Sequence, residues 1–111
     1  MYIKTKINSQ KERFRQLCLK YHVESLHGFG SSTRADFSEG LSDIDLLVNL
    51  DFKDPIENGN ALIGLWSDLQ DFFLTKVDLL TPNSIKNPYL IKSIDRTKVL
   101  LYDGKRKKVV F

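Results

Sequence analysis

From Ile44 to Leu50 the chain carries a nearly unbroken apolar run, entered through Asp43 and interrupted by a second acid, Asp45. Such continuity reads as a strand buried on both faces, and a strand of that kind needs other structure packed above and below it. The 111 residues allow one domain of that layered type. The hydrophobic share, 41%, suffices for a core, and no region has the composition of a disordered tail. A chain of this size is expected to hold a single core without further domains.

The flanking pattern supplies the layers. Phe14, Leu17, Cys18 and Tyr21 recur at three- and four-residue spacing and predict an amphipathic helix from Asn8 to about His22. Ser25 to Phe29 reads as a strand closing on Gly28 and Gly30, Ser31 to Asp36 as a brief helix, and Phe37 to Leu41 as a loop. Asp54, Pro55, Asn58 and Gly59 mark a turn. Leu62, Leu65, Trp66, Leu69, Phe72 and Phe73 then form a helical stripe whose aromatic members read as core. Lys76 to Leu80 is the next strand, stopped by Thr81-Pro82. Pro88 opens a short helix over Tyr89 to Asp95, and Val99–Tyr102 with Val109–Phe111 read as a terminal hairpin. Strands alternating with helices make this an α/β domain with helices flanking the sheet.

Net charge is +3, from 17 Lys+Arg against 14 Asp+Glu, too mild an excess to indicate nucleic acid by itself. The basic run Lys105-Arg106-Lys107-Lys108 falls in the predicted hairpin turn and reads as a solvated tip. The single Cys18 excludes an internal disulfide and a cysteine-based zinc site, and it fits a reducing compartment. Met1 to Gln10 lacks the apolar core of a signal peptide, and no apolar run approaches the ~20 residues needed to span a bilayer. The expectation is a soluble cytoplasmic protein. His22 and His27 lack metal-ligand spacing with each other or with Cys18, and read as core or surface residues.

Side chains alternate across a strand, so Asp43 and Asp45 project to one side while Ile44 points away. Two carboxylates so close repel one another unless a cation lies between them or one is protonated. Mg²⁺ suits the gap, because it prefers hard oxygen ligands and binds through one or two carboxylates together with phosphates and water. Gly30-Ser31 supplies a complementary half. Glycine permits close backbone approach, and a helix starting there would aim free N–H groups at a phosphate. No P-loop pattern is present. A third acid, Asp78, stands inside the apolar strand Val77-Asp78-Leu79-Leu80. It completes a carboxylate triad if that strand neighbours the first, and otherwise reads as a strand-end acid paired with a lysine such as Lys76.

Phe29-Gly30-Ser31-x-x-Arg34, then Ser42-Asp43-Ile44-Asp45-Leu46-Leu47-Val48, then Val77-Asp78-Leu79-Leu80-Thr81-Pro82, taken in this order, resembles the minimal nucleotidyltransferases. These belong to the DNA polymerase β-like superfamily and include MntA-type antitoxins. The resemblance extends to Leu101-Tyr102-Asp103-Gly104. It implies a single nucleotidyltransferase palm over residues 1–111 with a mixed sheet flanked by helices. By similarity, Gly30 and Ser31 would hold a triphosphate, Asp43 and Asp45 two metal ions, and Asp78 the ion on the nucleophile side. Arg34 matches the family arginine, as a buttress of the loop or a phosphate ligand. Ala35 stands where the family usually has glycine, and Ser32 where the residue is often basic. Asp36 and Glu39 read as solvated loop acids.

The implied chemistry is transfer of AMP from ATP with release of pyrophosphate, supported by two Mg²⁺ ions. The implied acceptor is a tyrosine of a HEPN-domain toxin, which would make the chain an antitoxin. Two alternatives stand beside it. One is a silent module that inhibits its partner by occlusion, and the other is transfer to a small molecule.

Overall fold

The computed structural model describes residues 2–33 and 43–111; Met1 and residues 34–42 lie outside the described part. Arg34, Asp36, Glu39 and the predicted loop Phe37–Leu41 fall in that stretch. The first two helices are α1 (Tyr2–Ser9) and α2 (Lys11–Lys20), followed by strands β1 (Val23–Phe29) and β2 (Ile44–Leu50). Then come α3 (Pro55–Phe73), β3 (Val77–Leu80), α4 (Pro88–Thr97), β4 (Val99–Asp103) and β5 (Lys108–Val109).

The strands form one sheet in the order β3-β2-β1-β4-β5. The β2–β3 pair is parallel and the other pairs are antiparallel, so the sheet is mixed as expected. One face carries Ile44, Leu46, Val48 and Val77 against Ile3 and Ile7 of α1, Phe14 and Cys18 of α2, and Leu65, Leu69, Phe72 and Phe73 of α3. The other face gathers Phe29 and Leu47 under Ile94 of α4. Strand β2 is therefore buried on both sides, as its unbroken apolar run implies.

Three local differences from the sequence reading have physical causes. The expected single helix from Asn8 to His22 is two helices, divided at Gln10, whose φ of −142° is not helical. Ile3 and Ile7, one helical turn apart and both fully buried, carry the first of these. The predicted turn at Asp54–Gly59 is a helix start instead. Asp54 caps α3 by accepting from the Ile56 N–H at 2.8 Å, Pro55 occupies the first turn, and Asn58 and Gly59 lie inside the helix. Trp66 is not core. Phe72 and Phe73 pack edge to face at 5.0 Å within the buried cluster, whereas Trp66 stays 43% exposed.

At the far end, Gly104 closes the β4–β5 turn. A Cβ there would collide with the Val23 carbonyl, and the Gly104 N–H donates to Glu24 O at 2.8 Å. Lys105 to Lys107 form the exposed tip of this hairpin, and Lys108, also exposed, begins β5 opposite Asp103. No helix of the described residues is long and apolar enough to cross a membrane.

Candidate functional site

Asp45 and Asp78 are register partners. The parallel β2–β3 pairing sets Ile44 opposite Val77, Asp45 opposite Asp78 and Leu47 opposite Leu80. Alternation then puts both carboxylates on the face that also carries Phe29 and Leu47. Asp43 lies just before the first residue of β2. Its carboxylate lies 3.7 Å from Lys76 Nζ, so the lysine considered as a partner for Asp78 pairs with Asp43 instead. Among the described residues no three metal-ligating side chains are grouped tightly enough to form a closed site. Asp45 and Asp78 are brought together on neighbouring strands, whereas Asp43 is paired with Lys76 and does not line the cleft that the other two share.

Gly30 stands against this pair. Its φ is +61°, a left-handed conformation that favours glycine, and a Cβ added there would sit 2.9 Å from Asp45 Oδ2. The backbone thus approaches the carboxylate more closely than any side chain would permit. Gly30 to Thr33 form a short 3-10 helix, which overlaps the brief helix expected over Ser31–Asp36; residues 34–36 of that expectation lie outside the described residues. The Gly30 N–H is not free for a phosphate, because it donates to Thr97 Oγ1 of α4 at 3.1 Å. Ser31, at the next position, is half-buried. Arg34 lies outside the described residues.

Two side chains hold this arrangement together and were not singled out as site residues from the sequence. Ser32, 1% exposed, accepts the Asp45 N–H on its Oγ at 2.7 Å, tying the turn to β2 at the acid itself. Its place inside the Gly-Ser-Ser-Thr turn was the available signal. Thr97 joins α4 to the same turn, accepting from Gly30 and donating to Ser93 O at 3.0 Å. Nothing in the sequence near Thr97 points to Gly30, 67 residues away.

An open cleft of about 520 Å³ adjoins the acids, and Phe29, Asp45, Trp66, Asp78, Leu80 and Leu90 are among its lining residues. The arrangement offers hard carboxylate oxygens at one end and an apolar wall at the other. His27, on β1, is half-buried. Burial first, and the nearby Lys98 second, push its pKa below the usual histidine value and favour the neutral ring.

The sequence pattern of the family described as "Nucleotidyltransferase domain" matches residues 7–101. Two proteins of Methanocaldococcus jannaschii, provisionally named protein adenylyltransferases MJ0126 and MJ1217, are 42% identical over 87 residues and 44% identical over 82. The first similarity spans 78% of this chain and 85% of its relative, the second 74% and 80%. A structure provisionally described as a minimal nucleotidyltransferase superposes with a TM-score of 0.60 at 20% identity, over 86% of this chain and 93% of that one. A toxin–antitoxin structure with AMP-PNP gives 0.59 at 21% identity, over 94% and 79%. A tri-AMPylated Shewanella oneidensis HEPN toxin in complex with an MNT antitoxin gives 0.50 at 20%, over 89% and 74%. The structural likenesses establish a minimal nucleotidyltransferase fold. Sequence carries further: with its motifs in order and its family pattern matched from residue 7 to residue 101, the chain belongs to the nucleotidyltransferase domain family and is a nucleotidyltransferase.

Proposed function

We propose that this chain is a Mg²⁺-dependent protein adenylyltransferase that moves AMP from ATP to a tyrosine hydroxyl of a HEPN-domain toxin, and that it acts as that toxin's antitoxin. The observation that carries the reading is the facing pair Asp45–Asp78 with the Gly30 backbone against it. Relatives named as protein adenylyltransferases, and fold neighbours that include an AMP-PNP complex and an AMPylated toxin complex, support the substrate and the partner.

The donor set fits the metal. Asp43, Asp45 and Asp78 offer only hard oxygens, and the missing Gly30 side chain lets the turn lie directly against the Asp45 carboxylate. When bound at these three carboxylates, Mg²⁺ would neutralise charge on the attacking and leaving oxygens. The chain's own residues do the rest. Ser31 receives the phosphates beside the side-chain-free turn at Gly30, and Arg34 meets a phosphate or buttresses the loop. Ser32 fixes the backbone of Asp45, and Lys76 offsets repulsion at Asp43. In the transfer, the acceptor oxygen bonds to the α-phosphorus and the bond to the β-phosphate bridging oxygen breaks. Pyrophosphate leaves, and on this reading Asp78 takes the hydroxyl proton.

Occlusion without catalysis is the second reading, favoured by the Lys76–Asp43 ion pair, which engages one of the three acids. One experiment separates them. The protein is incubated with Mg²⁺, ATP and the product of the neighbouring reading frame, and the partner's intact mass is read. The adenylyltransferase reading expects a gain of one or more AMP units, and loss of both transfer and neutralisation in Asp43→Asn. Neutralisation that survives in Asp43→Asn without any mass gain would establish occlusion.

A further inference from the structure

Strand β3 is four residues long and lies at the edge of the sheet, so among the described residues one side of its backbone has no strand partner. Two side chains of α3 take that place. Trp66 Nε1–H donates to the Val77 carbonyl at 2.8 Å, and the Val77 N–H donates to Gln70 Oε1 at 3.2 Å. Both backbone groups of one residue are thereby clamped by two side chains one helical turn apart. The Ile44 N–H meanwhile donates to the Lys76 carbonyl at 3.0 Å, pairing the preceding peptide with β2.

We infer that Trp66 and Gln70 are positioning residues for Asp78, setting where its carboxylate stands relative to Asp45. This rests on the proposed role of Asp78 in the transfer. A peptide unit is planar, so holding the Val77 carbonyl orients the N–Cα bond of Asp78 directly. The Val77 side chain is buried, which anchors β3 on one face while Asp78, on the other, is exposed and is positioned by its backbone. A carboxylate at the rim of a short edge strand moves with small changes in strand twist. A displacement of about 1 Å is enough to cost a catalytic constellation heavily. The clamp also explains why an indole stays partly exposed on α3: its N–H is committed to the strand and its ring forms part of the cleft wall.

The test compares Trp66→Phe, Gln70→Met and Gln70→Glu with the parent protein in AMP transfer, and reads amide exchange at Val77 and Asp78 by NMR. Phenylalanine keeps a ring without the donor, methionine removes the acceptor, and glutamate restores it. Trp66→Phe and Gln70→Met should each lower kcat by roughly tenfold, the size an ordinary hydrogen bond supports, with KM for ATP unchanged. In Gln70→Met the Val77 amide should exchange faster while the amides of Leu46 and Val48 do not change. Gln70→Glu should restore both kcat and protection. The inference fails if Val77 exchanges faster with kcat intact, or if glutamate restores protection without restoring kcat. It fails too if kcat and KM worsen together in proportion to a fall in melting temperature. Asp78→Asn, run alongside, separates the two levels. An active Asp78→Asn overturns the role of Asp78 itself, whereas an inactive one beside fully active clamp variants overturns only the clamp.

Discussion

Gly30 lies so close to Asp45 that a methyl group on the glycine would reach within 2.9 Å of the carboxylate oxygen. That contact joins the two halves of the site, turn and acid, and the turn reaches it by adopting a left-handed φ of +61°.

Gly30→Ala is therefore expected to lower AMP transfer by at least roughly tenfold, since it both displaces Asp45 and imposes a left-handed alanine costing about 1–2 kcal/mol. Steady-state transfer rates with parallel thermal denaturation check this. Activity should fall much further than stability.

Ser32→Ala removes the acceptor of the Asp45 N–H inside a buried turn. Leaving that donor unsatisfied is expected to cost about 1–3 kcal/mol. Denaturant unfolding measures the loss. Ser32→Thr, which keeps the hydroxyl, should recover part of it where the turn accommodates the methyl.

Lys76→Met removes the cation facing Asp43 at 3.7 Å. The lysine and a metal ion compete for the same carboxylate, so the variant should reach half-maximal transfer at a lower Mg²⁺ concentration. A Mg²⁺ titration of the transfer rate checks this. Because the pair is exposed, the change in stability should be small, within about 1 kcal/mol.

Stability should fall as pH drops below about 6.5, in part through His27. Its pKa in the folded chain is lowered, by burial first and by Lys98 second. Below the ordinary histidine value the unfolded chain binds the proton that the folded chain refuses. The contribution is thus fully present above the unfolded pKa and is lost as pH falls toward the folded one. His27→Gln should flatten this part of the profile in melting curves taken from neutral to mildly acidic pH.

The strand β2 and its acids were legible because an apolar run and an alternating side-chain pattern are properties of consecutive residues, and the structure keeps the predicted Ile44–Leu50 bounds. Asp78 was legible for the same reason, as an acid in an apolar strand, and the parallel register then sets it opposite Asp45. Other features depend on partners remote in sequence. The Gly30 amide was expected to be open to a phosphate, yet Thr97 occupies it. Trp66 was expected in the core because its spacing matches the buried stripe, but its N–H is drawn to the edge of β3. The Asp-Pro pair at 54–55 carries both a turn signal and a helix-start signal, and only the capping hydrogen bond distinguishes them.

The most direct measurement is single-turnover transfer from ATP to the partner protein by the parent and by Asp45→Asn and Asp78→Asn, with ATP binding followed separately. The account predicts that transfer disappears in both variants, and that in Asp78→Asn binding persists, because the glycine turn and Asp45 remain. Transfer at the parent rate in Asp78→Asn would contradict it.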